Sequence, residues 1–201
     1  DGGEIGAVTE IAPSHGDDAM QAAQKGFRGW DRAGHATRAA ALDKAADLLE
    51  ARAPSFLALL QAEGGKTIDD AISEVREAVD FCRYYAARAR EMDAGQTMPG
   101  PTGEDNRLRY RGRGVFVCVS PWNFPLAIFL GQVTAALVAG NAVVAKPAEQ
   151  TPLIAFEAVR LLHEAGVPVS ALQLALGDGG VGAALVEHPL TAGVAFTGST
   201  E

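Results

Sequence analysis

Residues 115–146 read VFVCVSPWNFPLAIFLGQVTAALVAGNAVVAK, and this stretch decides the fold. Its two ends, Val115–Val119 and Ala142–Ala145, are short apolar runs with β-branched residues, which is typical of buried strands. The segment between them, Leu126–Ala139, is long and apolar enough for a helix that packs against those strands. A strand, a helix and a second strand in this order predict a parallel β-α-β unit.

The same alternation continues toward the carboxyl end of the chain. The predicted elements are a helix over Pro152–Ala165, with Thr151 as its N-cap and Gly166 as its stop, and strands over Leu172–Leu176 and Gly193–Phe196. Residues 114–201 are therefore predicted to form a Rossmann-like parallel sheet.

The residues before this region have a helical pattern. From Ala19 to Met92, apolar residues recur at helical spacing between charged ones. After a break at Gly64-Gly65, Thr67 is a predicted N-cap. The buried stripe of the helix that follows is predicted to be Ile72, Val75, Val79 and Cys82. Residues 1–94 are therefore predicted to form an N-terminal helical layer.

A stretch rich in glycine and proline, residues 95–113, separates these two parts and marks a linker. Within it, Arg107–Arg111 alternates in the manner of an exposed strand. The predicted fold class is therefore α/β, with an N-terminal helical layer followed by a Rossmann-like parallel sheet.

Composition and charge exclude several classes of protein. With 48% hydrophobic and 21% charged residues, the chain of 201 residues falls in the globular range. The net charge of -8 disfavours a nucleic-acid partner. The longest apolar stretch, Phe124–Val138, contains proline and polar residues and is too short to span a membrane. Two cysteines far apart in sequence fit a reducing compartment, so we expect a cytoplasmic protein.

The first candidate site is the segment Ser120-Pro121-Trp122-Asn123, at the carboxyl end of the first predicted parallel strand. In open α/β sheets, ligands bind at that edge. One interpretation is a rigid turn with Trp122 as a packing plug. The other makes the side-chain amide of Asn123 a donor to a developing oxyanion, which requires a fixed, neutral NH2 in a water-poor pocket.

A second candidate pair follows the next strand. Lys146 could donate to ribose hydroxyls and Glu149 could accept from them. A carboxylate there would repel the additional phosphate of NADP, so the pair predicts NAD. The alternative is a solvated charge pair, in which Glu149 only favours the helix that follows.

Two glycine-containing turns are further candidates. Gly177–Gly182 has GxGxxG spacing between a strand and a helix, which could bring backbone amides to a pyrophosphate or serve only the turn. Phe196–Glu201 could likewise present helix N-terminal amides to phosphate, or form an ordinary Ser/Thr helix cap.

Taken together, these segments in this order and spacing resemble the aldehyde dehydrogenase superfamily across about Gly3–Glu201. Glu63-Gly64-Gly65-Lys66 resembles that superfamily's helix-breaking segment. The resemblance implies a cofactor domain, a catalytic domain and an oligomerisation ribbon, with NAD as cofactor and a small-molecule aldehyde as substrate. Residues 95–113 would belong to the ribbon, so a homo-oligomer is expected.

The resemblance also implies a role for each candidate residue. Asn123 would be catalytic, forming the oxyanion hole with the nucleophile's backbone amide. Lys146 and Glu149 would hold the adenosine ribose. The other cofactor contacts would be the backbone of Ser120, Pro121 and Trp122 beside the nicotinamide-side ribose, Gly179 and Gly180 beside the adenine, and Gly198 and Ser199 at the pyrophosphate. No metal site is implied.

Within the superfamily, residues 76–86, 145–153 and 196–201 resemble the dehydrogenase module of the bifunctional proline utilization A family. That module oxidises L-glutamate γ-semialdehyde to L-glutamate in proline catabolism. By this resemblance, a proline dehydrogenase module would precede the chain. A catalytic domain with the nucleophilic cysteine and the glutamate base would follow Glu201 and is therefore expected to be absent here. Cys82 and Cys118 stand in apolar patterns typical of buried, inert thiols.

Three alternatives to this enzyme stay open from the sequence. The chain could be a truncated module that binds NAD through Lys146 and Glu149 without turnover. It could be an assembly fragment that acts through the ribbon. It could also belong to another semialdehyde dehydrogenase, because the loops that would anchor the substrate are expected beyond Glu201.

Overall fold

The computed structural model describes residues 3–93 and 95–199, and the N-terminal part of this range is helical. The helices are α1 (Gly16–Arg32), α2 (Gly34–Ala51), α3 (Ala53–Ala62) and α4 (Ile68–Asp93). The start of α4 agrees with the predicted cap, because the backbone N–H of Asp70 donates to Oγ1 of Thr67 at 3.2 Å.

The predicted buried stripe of α4 is wrong at Ile72, which is 42% exposed. The face that packs against α2 and α5 instead carries Ala71, Glu74, Val75, Ala78, Val79 and Cys82. Ala71 and Ala78 allow the helices to approach closely, and the helical rotation turns Ile72 away from that contact.

The linker region forms a two-stranded antiparallel ribbon. Strand β1 (Gln96–Met98) pairs with β2 (Asn106–Leu108), with Thr97 opposite Arg107. The predicted strand over Arg107–Arg111 has the wrong bounds, since β2 begins one residue earlier and ends at Leu108. It is this short because β1 offers only a three-residue partner.

Within residues 95–199, the other strands form a four-stranded parallel sheet in the order β5-β4-β3-β6. Its elements, in chain order, are β3 (Val115–Val119), α5 (Ala127–Val138), β4 (Ala142–Lys146), α6 (Pro152–Ala165), β5 (Leu172–Leu174), α7 (Gly179–Glu187) and β6 (Thr191–Phe196). The predicted α/β class with its helical layer and Rossmann-like sheet is confirmed. Strand β5 is two residues shorter than predicted.

Helix α6 has the predicted bounds, but its N-terminal cap differs from the prediction. Gly166 ends the helix with φ of 116°, a conformation that favours glycine. Thr151 occupies the N-cap position, yet among the described residues its buried Oγ1 has no hydrogen-bond partner. The carboxylate of Glu63 accepts from the backbone N–H groups of Leu153 and Ile154 instead.

Buried polar contacts join the helical layer to the sheet side of the protein. Arg38 is 1% exposed, and its Nε donates to the carbonyl of Val138 at 2.8 Å. The indole Nε1 of Trp30 donates to the carbonyl of Leu137, also at 2.8 Å. Both bonds satisfy carbonyls at the end of α5, so the helical layer fixes where that helix ends.

Helix α1 lies directly against the 3-10 turn at Val169–Ala171 that precedes β5. A Cβ added at Gly26 would lie 2.0 Å from the carbonyl oxygen of Ser170. Only glycine allows this close approach. No helix in the described ranges is both long enough and apolar enough to cross a bilayer.

Candidate functional site

The candidate site lies where the order of the sheet reverses. From β3 the chain moves outward to β4 and β5, and it then returns to the other side of β3 as β6. The carboxyl ends of β3 and β6 are therefore neighbours whose following loops diverge, which is the usual ligand position in open α/β sheets. The N–H of Thr197 donates to the carbonyl of Val119 at 3.1 Å, which joins the two ends.

A side chain from α5 reinforces this junction. With its amide oriented to suit its neighbours, Gln132 donates through Nε2 to the carbonyl of Val119 at 3.1 Å. Its Oε1 accepts from the N–H of Thr197 at 3.1 Å and from the Thr197 hydroxyl at 2.8 Å. This role of Gln132 is not predictable from the sequence, because a single polar residue in an otherwise apolar helix does not indicate its partners.

The loops after β3 and β6 enclose a crevice of about 500 Å³, here called the central crevice. It is lined by Pro121, Trp122, Asn123, Phe124, Ile128, Ala148, Thr197, Gly198 and Ser199. The structure thus brings together five of the residues singled out in the sequence, two of them on the loop after β6. Thr200 and Glu201, which belong to the same motif, lie outside the described residues.

The exposure of the β3 loop bears on both interpretations of the Ser120–Asn123 segment. Trp122 is 56% exposed, so it does not act as a packing plug among the described residues. Asn123 is also exposed and lines the central crevice. Its amide can therefore reach a ligand, but the described residues do not by themselves provide the water-poor setting that an oxyanion donor needs.

Ser120 joins the β3 loop to the sheet. Its backbone N–H donates to the carbonyl of Lys146 at 3.2 Å, which extends the pairing of β3 with β4. Ser120 is 4% exposed, and its Oγ has no hydrogen-bond partner among the described residues. A buried hydroxyl without a partner is costly, and a ligand could satisfy it.

A second depression, of about 360 Å³, lies beside the ends of β4 and α7 and is here called the lateral groove. It is lined by Val119, Lys146, Gly179, Gly182, Ala183, Val186, Glu187 and Phe196. Val119 and Phe196 are the last residues of β3 and β6, so the lateral groove and the central crevice both lie at the carboxyl ends of these two strands. Glu187 is a lining carboxylate that the sequence analysis did not single out.

Lys146, which lines the lateral groove, forms an ion pair with Glu149. The Lys146 Nζ lies 3.4 Å from the Glu149 Oε2, and the side chains are 5% and 42% exposed, respectively. A hydrogen bond from its own backbone N–H, followed by the charge of Lys146, lowers the pKa of Glu149. The carboxylate is therefore ionised at neutral pH, as the ribose-binding interpretation requires.

The glycine-rich turn is organised by an aspartate. Oδ1 of Asp178 accepts from the backbone N–H groups of Gly180 and Val181 at 2.9 and 3.2 Å, which caps α7. The amide of Gly180 is therefore engaged within the protein, whereas Gly179 lines the lateral groove. The Gly180 N–H is therefore not available to donate to a pyrophosphate in this structure. The predicted contact of Gly180 with adenine stays a prediction.

Two glutamates of the helical layer, which the sequence analysis did not assign to the site, cap the helices that follow its loops. Glu74 on α4 accepts from the N–H groups of Leu126 and Ala127, just after the Asn123 loop. Glu63 accepts from Leu153 and Ile154, just after the Lys146 loop. The sequence signal was weak, because each cap joins residues more than 50 positions apart in the chain.

The cysteines are confirmed as buried, free thiols. Burial raises the pKa of Cys82 to about 12, and that of Cys118 to about 12 as well. Thiols in this state are poor nucleophiles. Within residues 3–93 and 95–199, no cluster of His, Cys, Asp and Glu could hold a metal ion.

Comparison with known proteins places this site in a family. The aldehyde dehydrogenase family model matches residues 1–201. The bifunctional protein PutA of Rhizobium meliloti is 58% identical over 166 residues, which is 83% of this chain and 12% of that protein. The 1-pyrroline-5-carboxylate dehydrogenase of Anoxybacillus flavithermus is 40% identical over 198 residues, which is 98% of this chain and 38% of that enzyme.

The fold agrees with these relationships. A crystal structure of Bradyrhizobium japonicum proline utilization A (PutA) matches 96% of this chain and 20% of its own, at 65% identity and a TM-score of 0.95. The chain thus spans well under half the length of the curated relatives that it matches. On the family model, the sequence identities and the fold, this chain belongs to the aldehyde dehydrogenase family.

Proposed function

We propose that the chain is the cofactor-binding part of an NAD-dependent aldehyde dehydrogenase that oxidises L-glutamate γ-semialdehyde to L-glutamate in proline catabolism. The observation that carries the proposal is that the central crevice and the lateral groove both lie at the carboxyl ends of β3 and β6. An extended ligand could lie along that edge of the sheet, with Asn123 at one end and Lys146 at the other.

The residues present fit a dinucleotide. Lys146 would donate to the hydroxyls of the adenosine ribose, and the ionised Glu149 would accept from them. The same carboxylate disfavours a phosphate on the ribose, which supports NAD over NADP. The partnerless Ser120 hydroxyl and the exposed Gly198 and Ser199 offer further polar contacts in and beside the central crevice.

Asn123 would supply the transition-state interaction. When an aldehyde is attacked, its oxygen gains negative charge, and an amide N–H held at that position stabilises it. Bound NAD would accept the hydride released as the aldehyde carbon is oxidised. Neither the nucleophile nor the base that activates water is assigned to Cys82, Cys118 or any other residue discussed here.

The substrate and the surrounding modules follow from the relatives. The names PutA and 1-pyrroline-5-carboxylate dehydrogenase support a semialdehyde of proline catabolism over a general aldehyde. We further propose an upstream proline dehydrogenase module, a catalytic domain in the longer protein, and a homo-oligomer formed through the β1-β2 ribbon. Free thiols at Cys82 and Cys118 support a cytoplasmic location.

The exposed loop that carries Asn123, which has no water-poor setting among the described residues, favours one alternative, a module that binds NAD without turnover. Titration of the native gene product with NAD and with NADP, followed by addition of L-glutamate γ-semialdehyde, separates the two functions. The proposed enzyme prefers NAD and forms NADH with the semialdehyde. Preferential binding without NADH would support the module, and NADH formed only with another semialdehyde would change the substrate.

A further inference from the structure

The two glutamate caps form a matched pair. The Oε1 of Glu74 accepts hydrogen bonds from the backbone N–H groups of Leu126 and Ala127, with N···O distances of 2.8 and 3.2 Å. The carboxylate of Glu63 accepts hydrogen bonds from the backbone N–H groups of Leu153 and Ile154, with N···O distances of 2.7 and 2.9 Å. Each carboxylate thus satisfies N–H groups in the first turn of a helix and stabilises the positive end of its dipole. One helix, α5, follows the Asn123 loop, and the other, α6, follows the Lys146 loop.

Glu74 is the more deeply buried of the two. Its side chain is 1% exposed, so an isolated negative charge at that position would be very unfavourable. The Lys66 Nζ lies 2.9 Å from the Glu74 Oε2 and compensates this charge. Lys66 is itself largely buried, with 13% of its side chain exposed.

The same lysine also contacts the Asn123 loop. Its Nζ lies 4.0 Å from the centre of the Phe124 ring, which is a cation-π geometry. Phe124 directly follows Asn123, and Leu126, whose N–H Glu74 accepts, comes two residues later. The loop residue Asn123 is therefore followed at once by a segment that Lys66 and Glu74 hold at two points.

We propose that Lys66 and Glu74 are positioning residues that set the orientation of Asn123. This inference rests on the proposed function, because it assigns their effect to the step in which Asn123 stabilises an oxyanion. A displacement of about 1 Å at such a donor can cost about a hundredfold in rate. Glu63 makes the same kind of contacts at the start of α6, the helix after the Lys146 loop, so it provides a matched control.

The first test is a kinetic comparison of Glu74→Gln with Glu63→Gln in the native full-length protein. Glu74→Gln places an amide beside the Lys66 ammonium and removes the ion pair. We expect kcat to fall about tenfold or more with the KM for NAD within about twofold of wild type. Glu63→Gln is expected to raise the KM for NAD and to change kcat less.

Charge compensation supplies a second, independent comparison. Lys66→Met leaves Glu74 as an uncompensated buried charge, whereas Lys66→Met combined with Glu74→Gln removes both charges. We expect the double variant to have a higher kcat and a higher melting temperature than Lys66→Met alone. Lys66→Arg retains the charge and should recover most of the wild-type kcat.

A readout without turnover separates this inference from the proposed function. In protein labelled with ¹⁵N-tryptophan, Glu74→Gln should shift the indole resonance of Trp122, which is assigned through Trp122→Phe. Trp30, whose indole donates to the carbonyl of Leu137, is the reference signal that should stay in place. Glu63→Gln should leave both resonances unchanged.

The outcomes distinguish the two ideas. An unshifted Trp122 resonance and an unchanged kcat in folded Glu74→Gln protein would overturn the positioning role. So would equal kinetic effects of Glu74→Gln and Glu63→Gln, since two merely structural caps predict equality. A shifted Trp122 resonance in a protein that never forms NADH would retain the positioning of the loop and reject the enzyme.

Discussion

The ammonium of Lys146 lies 3.4 Å from the carboxylate of Glu149, with the lysine almost fully buried and the glutamate partly exposed. The Glu149 Oε1 accepts from the exposed side-chain amide of Gln150 at 3.1 Å, so a ligand hydroxyl could replace that surface donor. The buried ammonium fixes the position of the carboxylate. Under the proposed function, we expect Glu149 to be the residue on which the choice between NAD and NADP depends.

Glu149→Gln is expected to weaken NAD binding about tenfold and to weaken NADP binding less, because it removes both an ionised acceptor and a repulsive charge. Isothermal titration with each dinucleotide measures the change. Glu157→Gln, which removes a carboxylate of α6 that pairs with Arg160, is the control for a general charge effect. Equal losses for NAD and NADP would remove Glu149 from selectivity.

The lowered pKa of Glu149 also predicts how NAD affinity depends on pH. A carboxylate whose folded-state pKa is depressed makes its contribution above its ordinary value of 4.5 and loses it as the pH falls through the lower, folded value. Affinity should therefore be level between about pH 6 and 8 as far as this group is concerned. A fall in affinity across that range that Glu149→Gln abolishes would contradict the ionised pair.

The buried thiols should be inert toward alkylating reagents. With a pKa of about 12, Cys118 is ionised at pH 8 in roughly one molecule in ten thousand. Iodoacetamide labelling followed by peptide mass spectrometry should therefore modify Cys118 only after denaturation. Cys118→Ser should retain most of the turnover of the native protein. A large loss of turnover by a folded Cys118→Ser protein would reopen its assignment as an inert thiol.

The cap on α7 predicts a change in stability. Asp178→Ala removes the acceptor for Gly180 and Val181, so we expect a loss of about 1 kcal/mol in the free energy of unfolding. Urea denaturation measures it. Asp69→Ala, which removes a first-turn aspartate of α4, should cost only a few tenths of a kcal/mol by weakening the dipole interaction. Equal losses would mean that the Asp178 cap is not specific.

Two glycines of α1 should respond in opposite directions to the same substitution. Gly26→Ala places a Cβ 2.0 Å from the carbonyl oxygen of Ser170, so it must displace the turn before β5 and is expected to lower the melting temperature strongly. At Gly29 an added Cβ meets nothing within 4 Å, and alanine should stabilise the helix by about 0.5–1 kcal/mol. Thermal unfolding of both variants tests this packing, and a tolerated Gly26→Ala would contradict it.

The sequence predicts the elements whose patterns are local. Strand β3 and helix α6 have the predicted bounds, because β-branched runs, proline and glycine mark their ends within a few residues. The buried face of α4 is determined by α2 and α5, so local spacing alone misassigned Ile72. The short β2 depends on its partner strand in the same way.

The sequence predicts the site residues that follow strands, but not the side chains that support them from the helical layer. Residues that follow parallel strands must reach one edge of the sheet, and Asn123 and Ser199, which follow β3 and β6, line one crevice there. The caps by Glu63 and Glu74 were not predictable, since glutamates on a helical layer give no sign of distant backbone partners. The contact of Lys66 with Phe124 was equally hidden.

We propose that the native protein oxidises a semialdehyde with NAD and that Asn123 stabilises the oxyanion. NADH formation from L-glutamate γ-semialdehyde, by the purified native gene product and by its Asn123→Ala variant, tests this proposal. We expect turnover with NAD that falls about a hundredfold in Asn123→Ala, while NAD affinity stays within about twofold. Equal turnover by the two proteins, or NAD binding with no NADH formed by either, would contradict it.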